Sequence, residues 1–281
     1  MKNSKYYNAD VNVIGELVEC SCYTTVNSRY YMVDNGQSKK EENVLKEHHF
    51  NIILDGKLFA SLVCTPVQLT ALVVGYLITS GTISLLEDID LIKYNKDNTI
   101  CEVWLKKKRV VDGIKENRIT LNKSKQKSYN CVGAKAIRKA PFFWEPKWIT
   151  NLATFFKKDT ELHAMTHGTH SCFLAQEGKV LYVCEDIGRH NALDKVVGMG
   201  ILNGISLSDC IVFLSGRVPL DMLGKIVRAN IPLVASNTVP TKQSVDLAKE
   251  KQITLIGKVR TKEFTIYAGI RKDEENGTKP L

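Results

Sequence analysis

One cysteine stands out among the residues that could do chemistry. Cys131 lies in KSKQKSYNCVGAKAIRK, residues 123–139, a basic and polar stretch without the apolar run that usually flanks a buried thiol. Neighbouring cations lower the pKa of a thiol and so favour the reactive thiolate. Four basic residues close in sequence could supply this field: Lys127, Lys135, Arg138 and Lys139. The pattern predicts a mobile loop with a reactive sulfur; an incidental surface cysteine is the alternative.

Three other segments have the composition of ligand-binding loops. They are EDIGRHN (185–191), SGRVP (215–219) and SNTVPT (236–241), and each lies between an apolar strand-like run and a helix-like run. Ligands of open α/β sheets gather at the carboxyl ends of the strands, where helix N-termini favour anions. The three loops together predict a site for an anion or a nucleotide.

Within these loops, Arg189 and Arg217 are the expected clamps, because a guanidinium donates two parallel hydrogen bonds to a phosphate or carboxylate. His170 and His190 are candidate acid–base groups, although a loop histidine is more often part of the scaffold. Structural pairing of the arginines is the alternative interpretation, and three acids could serve as partners: Glu185, Asp186 and Asp194.

Several well-known motifs are missing from the sequence. It contains no G-x-x-x-x-G-K-[ST] and no G-x-G-x-x-G after a strand, which disfavours P-loop and Rossmann enzymes. It also contains no G-x-S-x-G, and none of the six histidines has a glutamate two residues later, as the zinc deaminases require. Hydrolase and deaminase chemistry are therefore not expected.

Composition and charge further restrict the class of protein and the kinds of partner. The 281 residues carry a formal net charge of +9, concentrated in KKKR (106–109) and in the cysteine loop, which favours anionic partners. No nucleic-acid-binding motif accompanies the charge. No apolar run reaches the roughly 18 residues of a membrane helix, and the N-terminus does not resemble a secretory signal. We expect a soluble cytoplasmic protein that binds neither nucleic acid nor membranes.

The other cysteines are predicted to be structural. Cys64, Cys101, Cys184 and Cys210 lie in or beside apolar, strand-like runs, as buried thiols do in a reducing compartment. The C-x-C pair Cys20 and Cys22 has no second cysteine or histidine pair at zinc-site spacing. No metal site is therefore predicted.

Coarse secondary structure gives an α/β protein. Residues 1–43 are expected to be irregular, followed by a hairpin at Asp55-Gly56 and a helix capped by Thr65 with Pro66 as its first residue. A second hairpin is expected at Glu177-Gly178 and a helix after it; strands and helices then alternate to residue 257, as in parallel βαβ units. The predicted divisions are a smaller N-terminal α+β domain (1–122), the mobile cysteine loop (123–140), an α/β core domain (141–272) and a polar tail (273–281).

Several segments together resemble the formate dehydrogenase accessory sulfurtransferase family FdhD. They are residues 54–83, THGTH (166–170), EDIGRHNALDKVVG (185–198) and residues 215–268, of which EDIGRHNALDK is the most specific. The resemblance covers most of the chain between about residues 44 and 270. It implies a cytidine-deaminase-like mixed sheet with flanking helices and without the catalytic zinc, and it implies homodimers.

The resemblance also implies a function. Members of the family pass sulfur from a cysteine desulfurase to the molybdenum bis(molybdopterin guanine dinucleotide) cofactor of formate dehydrogenase, through a persulfide on a C-x-x-C loop. Cys131 matches the first cysteine of that loop, whereas Ala134 replaces the second. The cofactor segment of the family matches six residues: Lys258, Val259, Arg260, Thr261, Lys262 and Glu263. The loops add His190, Asn191, Ser215 and Gly216 to the candidate cofactor-binding residues, beside Arg189 and Arg217.

The sequence is consistent with three hypotheses. The first is a persulfide carrier in which Cys131 is the catalytic residue and the cofactor is a bound substrate that a guanine nucleotide could mimic. The second is a cofactor-binding chaperone without sulfur transfer, suggested by Ala134. The third is a nucleotide-binding protein unrelated to molybdenum.

Overall fold

The computed structural model describes residues 11–15, 21–33, 36–106, 142–158 and 160–269. Cys131, Ala134 and the rest of the predicted cysteine loop lie outside the described residues, as does the polar tail. Two mixed sheets, a separate two-stranded ribbon and six α-helices make up the described part.

The first sheet has five strands and belongs to the N-terminal half. Its spatial order is β1-β6-β7-β4-β5. The predicted hairpin at Asp55-Gly56 is confirmed, because both residues have positive φ and join β4 to β5. The helix α1 follows, is buried along nearly its whole length and ends at Gly81 in the left-handed conformation. The bounds are β1 Val13–Ile14, β4 His48–Leu54, β5 Lys57–Cys64, α1 Leu69–Ser80, β6 Ile89–Tyr94 and β7 Ile100–Leu105.

The second sheet has six strands in the order β13-β12-β11-β10-β8-β9. Strands β10, β11 and β12 are parallel and are joined by α5 and α6, which confirms the predicted βαβ units. Strand β8 is antiparallel to β10 and forms the predicted hairpin with β9. The bounds are α2 Pro146–Phe156, α3 Glu161–Thr166, β8 His170–Gln176, β9 Lys179–Asp186, α4 Arg189–Leu202, β10 Ile211–Leu214, α5 Leu220–Arg228, β11 Leu233–Ser236, α6 Lys242–Lys251, β12 Thr254–Gly257 and β13 Thr265–Ala268.

Helices α1 and α4 join the two sheets into one hydrophobic core. They cross at Gly75 and Gly198, where the backbones touch. A Cβ on Gly75 would lie 1.7 Å from the carbonyl oxygen of Asp194, and a Cβ on Gly198 would lie 1.9 Å from that of Ala71. Only glycine allows this approach, so the two positions fix how the N-terminal half sits on the second sheet. The proposed domain boundaries stay a prediction.

Two predictions about the N-terminal half are wrong. Residues 1–43 are not irregular throughout, because β1 lies there and β2 (Tyr23–Met32) pairs with β3 (Gly36–Leu45) over ten residues. Thr65 does not cap α1, which begins at Leu69 after Gln68 in the left-handed conformation. The Thr65 hydroxyl instead joins a buried polar cluster described below.

No helix in the described ranges is long and apolar enough to cross a membrane. The mixed sheets with flanking helices agree with the predicted α/β class.

Candidate functional site

Two of the predicted ligand loops, 215–219 and 236–241, lie side by side with residues 258–263 because all three follow the adjacent parallel strands β10, β11 and β12. Backbone hydrogen bonds tie them together: the Asn237 N–H donates to the Leu214 carbonyl, and the Val259 N–H donates to the Ser236 carbonyl. The Ser215 N–H donates to Ser171 at the start of β8. We call residues 189–190, 215–217, 236–238 and 258–263 the strand-end edge.

Arg189 is the innermost cation of the strand-end edge. It begins α4, and its stem lies beside Gly216, where an added Cβ would be 3.7 Å from Arg189 Cδ and 3.6 Å from His170 Nδ1. The Arg189 Nε atom is buried and has no hydrogen-bond partner. A buried hydrogen-bond donor without a partner destabilises the folded protein by about 1–3 kcal/mol. A ligand that offers an acceptor to Arg189 Nε would therefore form a hydrogen bond and also remove this cost.

The three acids that could pair with Arg189 form hydrogen bonds and ion pairs with other residues. Glu185 and Asp186 are consecutive in β9, and strand alternation sends their side chains to opposite faces of the sheet. The fully buried Asp186 accepts from Lys195 Nζ at 2.6 Å and from the Thr65 N–H at 3.0 Å. Its other oxygen accepts from the Gly188 N–H and from Asn191 Nδ2, both at 2.9 Å.

Lys195 is the cationic centre of the same cluster and is fully buried. Besides Asp186, it donates to the hydroxyl and the carbonyl of Thr65 at 2.7 and 3.1 Å. Thr65 follows β5 of the first sheet, whereas Asp186 ends β9 of the second. Residues Thr65, Asp186, Asn191 and Lys195, which we call the hub, therefore hold the two halves together beneath the loop that carries Arg189.

Glu185 caps the short helix α3 on the other face of the sheet. Its carboxylate accepts from the Leu162 and His163 N–H groups at 3.0 and 2.8 Å. The Thr160 and Thr169 hydroxyls donate to it at 2.6 and 2.9 Å. With four donors, this carboxylate is satisfied without Arg189.

Asp194 is also satisfied, within the helix layer. It accepts from Lys225 Nζ at 2.6 Å and from the Thr79 hydroxyl at 2.5 Å. The Lys225 ammonium lies 4.7 Å from the centre of the Tyr76 ring, which adds a cation–π contact. The structural alternative for Arg189 is therefore not observed for any of the three acids.

Two histidines at this end of the sheet are biased towards the neutral form. Burial lowers the pKa of His190; Lys225 and Arg189 add to the shift, whereas Asp221 opposes it. Its Nε2 lies 2.9 Å from Asp221 Oδ2. Burial also lowers the pKa of His170, with a further contribution from Arg189. Neutral imidazoles can exchange protons or hydrogen-bond a ligand near neutral pH.

The remaining predicted cofactor residues fall into two groups. Arg217, Lys258, Arg260, Lys262 and Glu263 are exposed on the strand-end edge, and Ser215, Gly216 and Thr261 are partly exposed there. Two others are buried. The Val259 side chain packs in a second apolar cluster, and the Asn191 side chain supports the hub and donates to the Val63 carbonyl. Four exposed cations against one exposed acid leave the edge positively charged.

Sequence reasoning selected the loop 236–241 but missed the roles of two residues in it. The Ser236 hydroxyl donates to the Gly216 carbonyl at 2.8 Å and so joins two loops. The Asn237 side-chain oxygen is buried without a hydrogen-bond partner, while its backbone carbonyl accepts from Arg260 at 2.7 Å. Their position after a parallel strand was the available signal.

The described cysteines behave as predicted. Cys64, Cys101, Cys184 and Cys210 are buried, and burial raises the pKa of each thiol to about 12. These thiols are therefore protonated and inert at neutral pH. Cys22 is partly exposed.

Comparisons with known proteins identify the family of the chain. Residues 45–272 match the model of the FdhD/NarQ family. The sulfur carrier protein FdhD of Bacillus subtilis strain 168 is 29% identical over 248 residues, covering 82% of this chain and 90% of that protein. The protein of the same name from Methanothermobacter thermautotrophicus is 28% identical over 253 residues, covering 85% and 94%.

The fold has a solved counterpart as well. A crystal structure of a formate dehydrogenase accessory protein from Desulfotalea psychrophila superposes with a TM-score of 0.70 at 25% identity, covering 89% of this chain and 98% of that one. The family match covers the second sheet, the first sheet apart from β1, the hub and the strand-end edge. The chain therefore belongs to the FdhD/NarQ family.

Proposed function

We propose that this protein is a sulfur carrier for formate dehydrogenase, with Cys131 as the sulfur-bearing residue. The observation that carries the proposal is membership of a family whose relatives are named sulfur carrier proteins. The donor would be a cysteine desulfurase in the cytoplasm, and formate dehydrogenase would receive the product. We also propose that the core of the protein has a cytidine-deaminase-like fold without the catalytic zinc.

The chemistry requires one thiolate. Cys131 would attack the terminal sulfur of a persulfide on the desulfurase; the S–S bond breaks, the desulfurase cysteine leaves as a thiolate, and a Cys131 persulfide forms. In the second step the S–S bond of the Cys131 persulfide would break, the terminal sulfur would pass to the molybdenum of the substrate, and Cys131 would leave as the thiolate. A molybdenum(IV) centre would supply the two electrons that convert this sulfur to sulfide and would become molybdenum(VI).

The strand-end edge is the proposed site for the substrate, molybdenum bis(molybdopterin guanine dinucleotide). Its positive charge and the unpaired Nε of Arg189 suit the phosphates of a dinucleotide. Lys258 and Arg260 are exposed beside it and would add to the field. A guanine nucleotide such as GDP is the corresponding soluble mimic.

The test of sulfur transfer is intact-protein mass spectrometry after incubation with a cysteine desulfurase and cysteine. The proposal predicts a reducible gain of one sulfur atom in the wild type and none in Cys131→Ser. Cys22→Ser is the matched control, because Cys22 is the most exposed of the described cysteines and should not matter. An equal gain in the wild type and in Cys131→Ser would refute the assignment.

A second candidate function is a cofactor-binding chaperone without sulfur transfer. The specific observation in its favour is Ala134, which leaves the cysteine loop without the second thiol. Complementation of a deletion strain separates the two functions. A carrier with Cys131→Ser would fail to restore formate dehydrogenase activity, whereas a chaperone with the same change would restore it.

A further inference from the structure

The charged groups of the strand-end edge cannot distinguish one nucleotide from another. Its exposed cations are Arg217, Lys258, Arg260 and Lys262. Cations bind phosphates, which every nucleotide carries, so they position a ligand without selecting its base. A choice between bases requires a polar group that is held in place, offers only a donor or only an acceptor to the ligand, and is not already bonded within the protein.

The hydroxyl groups of the edge do not meet this requirement. Ser215 Oγ accepts a hydrogen bond from the Ser171 N–H at 3.0 Å. Ser236 Oγ donates to the Gly216 carbonyl at 2.8 Å and accepts from the Thr238 N–H at 3.0 Å. A hydroxyl also both donates and accepts, so it adapts to whichever group a ligand presents.

Asn237 meets the requirement. Its side-chain oxygen is buried and has no hydrogen-bond partner. Its backbone is held from both sides, because its N–H donates to the Leu214 carbonyl at 3.3 Å and its carbonyl accepts from Arg260 Nη1 at 2.7 Å. The amide side chain therefore starts from a fixed point between the loop after β10 and the loop after β12. An amide oxygen only accepts, so a ligand that satisfies it must present a donor.

The donors of a guanine nucleotide complement this oxygen. Guanine presents two adjacent donors, the ring N1–H and the exocyclic amino group, whereas adenine has an acceptor at N1. The pterin ring of molybdopterin carries the same pair of donors as guanine. The phosphates, which lack donors, suit the unpaired Nε of Arg189 instead. A site with a buried polar group rejects an analogue that leaves this group unpaired, which makes Asn237 a means of selection.

We propose that Asn237 is a specificity-determining residue of the strand-end edge. Its side-chain oxygen accepts a hydrogen bond from the N1–H or the amino group of guanine and so favours guanine over adenine nucleotides. The inference rests on the proposed function, which locates a guanine nucleotide at this edge, and it adds the residue that recognises the base. Loss of the side chain should therefore change the preference between bases and leave the attraction for phosphates intact.

Titration calorimetry of the full chain with GDP and ADP tests the proposal. The wild type is expected to bind GDP about 10- to 100-fold more tightly than ADP. In Asn237→Leu, which keeps the size of the side chain, this ratio should fall to near one while the affinity for inorganic pyrophosphate stays the same. Asn237→Asp retains an acceptor and should retain the preference for GDP. Asn27→Leu, at an exposed asparagine of β2, is the matched control and should keep the wild-type ratio.

The possible results separate this inference from the proposed function. An unchanged ratio in Asn237→Leu, or a lost preference in Asn237→Asp, would overturn the inference but not the nucleotide site. Equal losses of GDP and ADP affinity in Asn237→Leu would assign Asn237 to the ribose and would also overturn it. Neopterin distinguishes the pterin: binding of neopterin that depends on Asn237, with an unchanged GDP-to-ADP ratio, would contradict recognition of guanine. A wild type that binds neither nucleotide would overturn the site and the inference together.

Discussion

The hub and the strand-end edge share one short segment, EDIGRHNALDK (residues 185–195), yet the polar atoms of the two regions differ in whether they have hydrogen-bond partners. Asp186 and Lys195 in the hub are fully buried, and both carboxylate oxygens of Asp186 are hydrogen-bonded. Arg189 at the edge lies three residues from Asp186 and has a buried donor without a partner. This difference distinguishes the hub, which stabilises the fold, from the edge, which we propose binds a ligand.

Most of the polar residues of EDIGRHNALDK have structural roles, so a sequence motif that identifies a family need not be a catalytic motif. Glu185, Asp186, Asn191, Asp194 and Lys195 are occupied by long-range structural contacts, some to residues more than 100 positions away. Four residues of the segment therefore join the two halves of the protein: Asp186, Asn191, Asp194 and Lys195. Arg189, with its unpaired Nε, and His190, whose Nε2 contacts Asp221, are the residues of the segment that we propose face a ligand.

The largest expected effect comes from breaking the hub. Lys195→Met removes the counter-charge of the buried Asp186, so the free energy of unfolding should fall by about 3–5 kcal/mol. Urea denaturation measures this change. Lys242→Met is the control, because its pair with Asp246 is exposed and contributes about 0–1 kcal/mol. Equal destabilisation by the two variants would show that the hub has no special structural role.

The next effect comes from removing the unpaired donor at the edge. Arg189→Met should weaken GDP binding about 10- to 150-fold, since hydrogen bonds to charged groups contribute about 1.5–3 kcal/mol. Stability should stay the same or rise slightly, because the variant loses a buried donor that has no partner. Titration calorimetry and urea denaturation together measure both quantities.

The control for this variant is Lys249→Met, which removes one positive charge from an exposed position in the last turn of α6. It should leave GDP affinity nearly unchanged. Equal losses of affinity in the two variants would mean that the net charge of the chain, and not the edge, holds the nucleotide.

The smallest effect is a dependence of stability on pH. The pKa values of His170 and His190 are lowered in the fold, so the unfolded chain binds protons on them more readily. Stability is therefore complete above the ordinary histidine pKa of about 6.5 and declines as the pH falls below it. Arg189, His163 and His190 disfavour protonation of His170, whereas Asp186 favours it.

Denaturation at several pH values checks this dependence. His170→Gln should show a shallower decline of stability below neutral pH than the wild type. His49→Gln, a change at an exposed histidine, is the control and should follow the wild type. A His170→Gln profile that matches the wild type would remove His170 as a source of the decline.

Much of the second sheet could be predicted from sequence because its signals are local. Apolar strands alternate with helices, and Glu177-Gly178 adopts the positive φ values that a tight hairpin needs. The ribbon was missed because β2 and β3 are mostly exposed and are stabilised by pairing with each other instead of by a core. Local patterns indicate burial far better than they indicate such pairing.

The site was predictable only in part, for a similar reason. The cations and their position after parallel strands are visible in the sequence, which led to Arg189, Arg217 and the segment 258–263. The sequence does not show which groups bond to the acids near Arg189. Those partners depend on strand alternation and on Thr65, which is 121 residues away from Asp186. Thr65 looked like a helix cap for the same reason: its true partners are distant.

The most direct test of the account is amide hydrogen exchange of the wild type with and without GDP. The account predicts slower exchange at Gly216 and Arg217, in the strand-end edge, when GDP binds. It predicts unchanged exchange around the hub, at Thr65 and Gly188, where the amides already donate to Asp186. Protection that appears elsewhere, with none at the strand-end edge, would contradict the account.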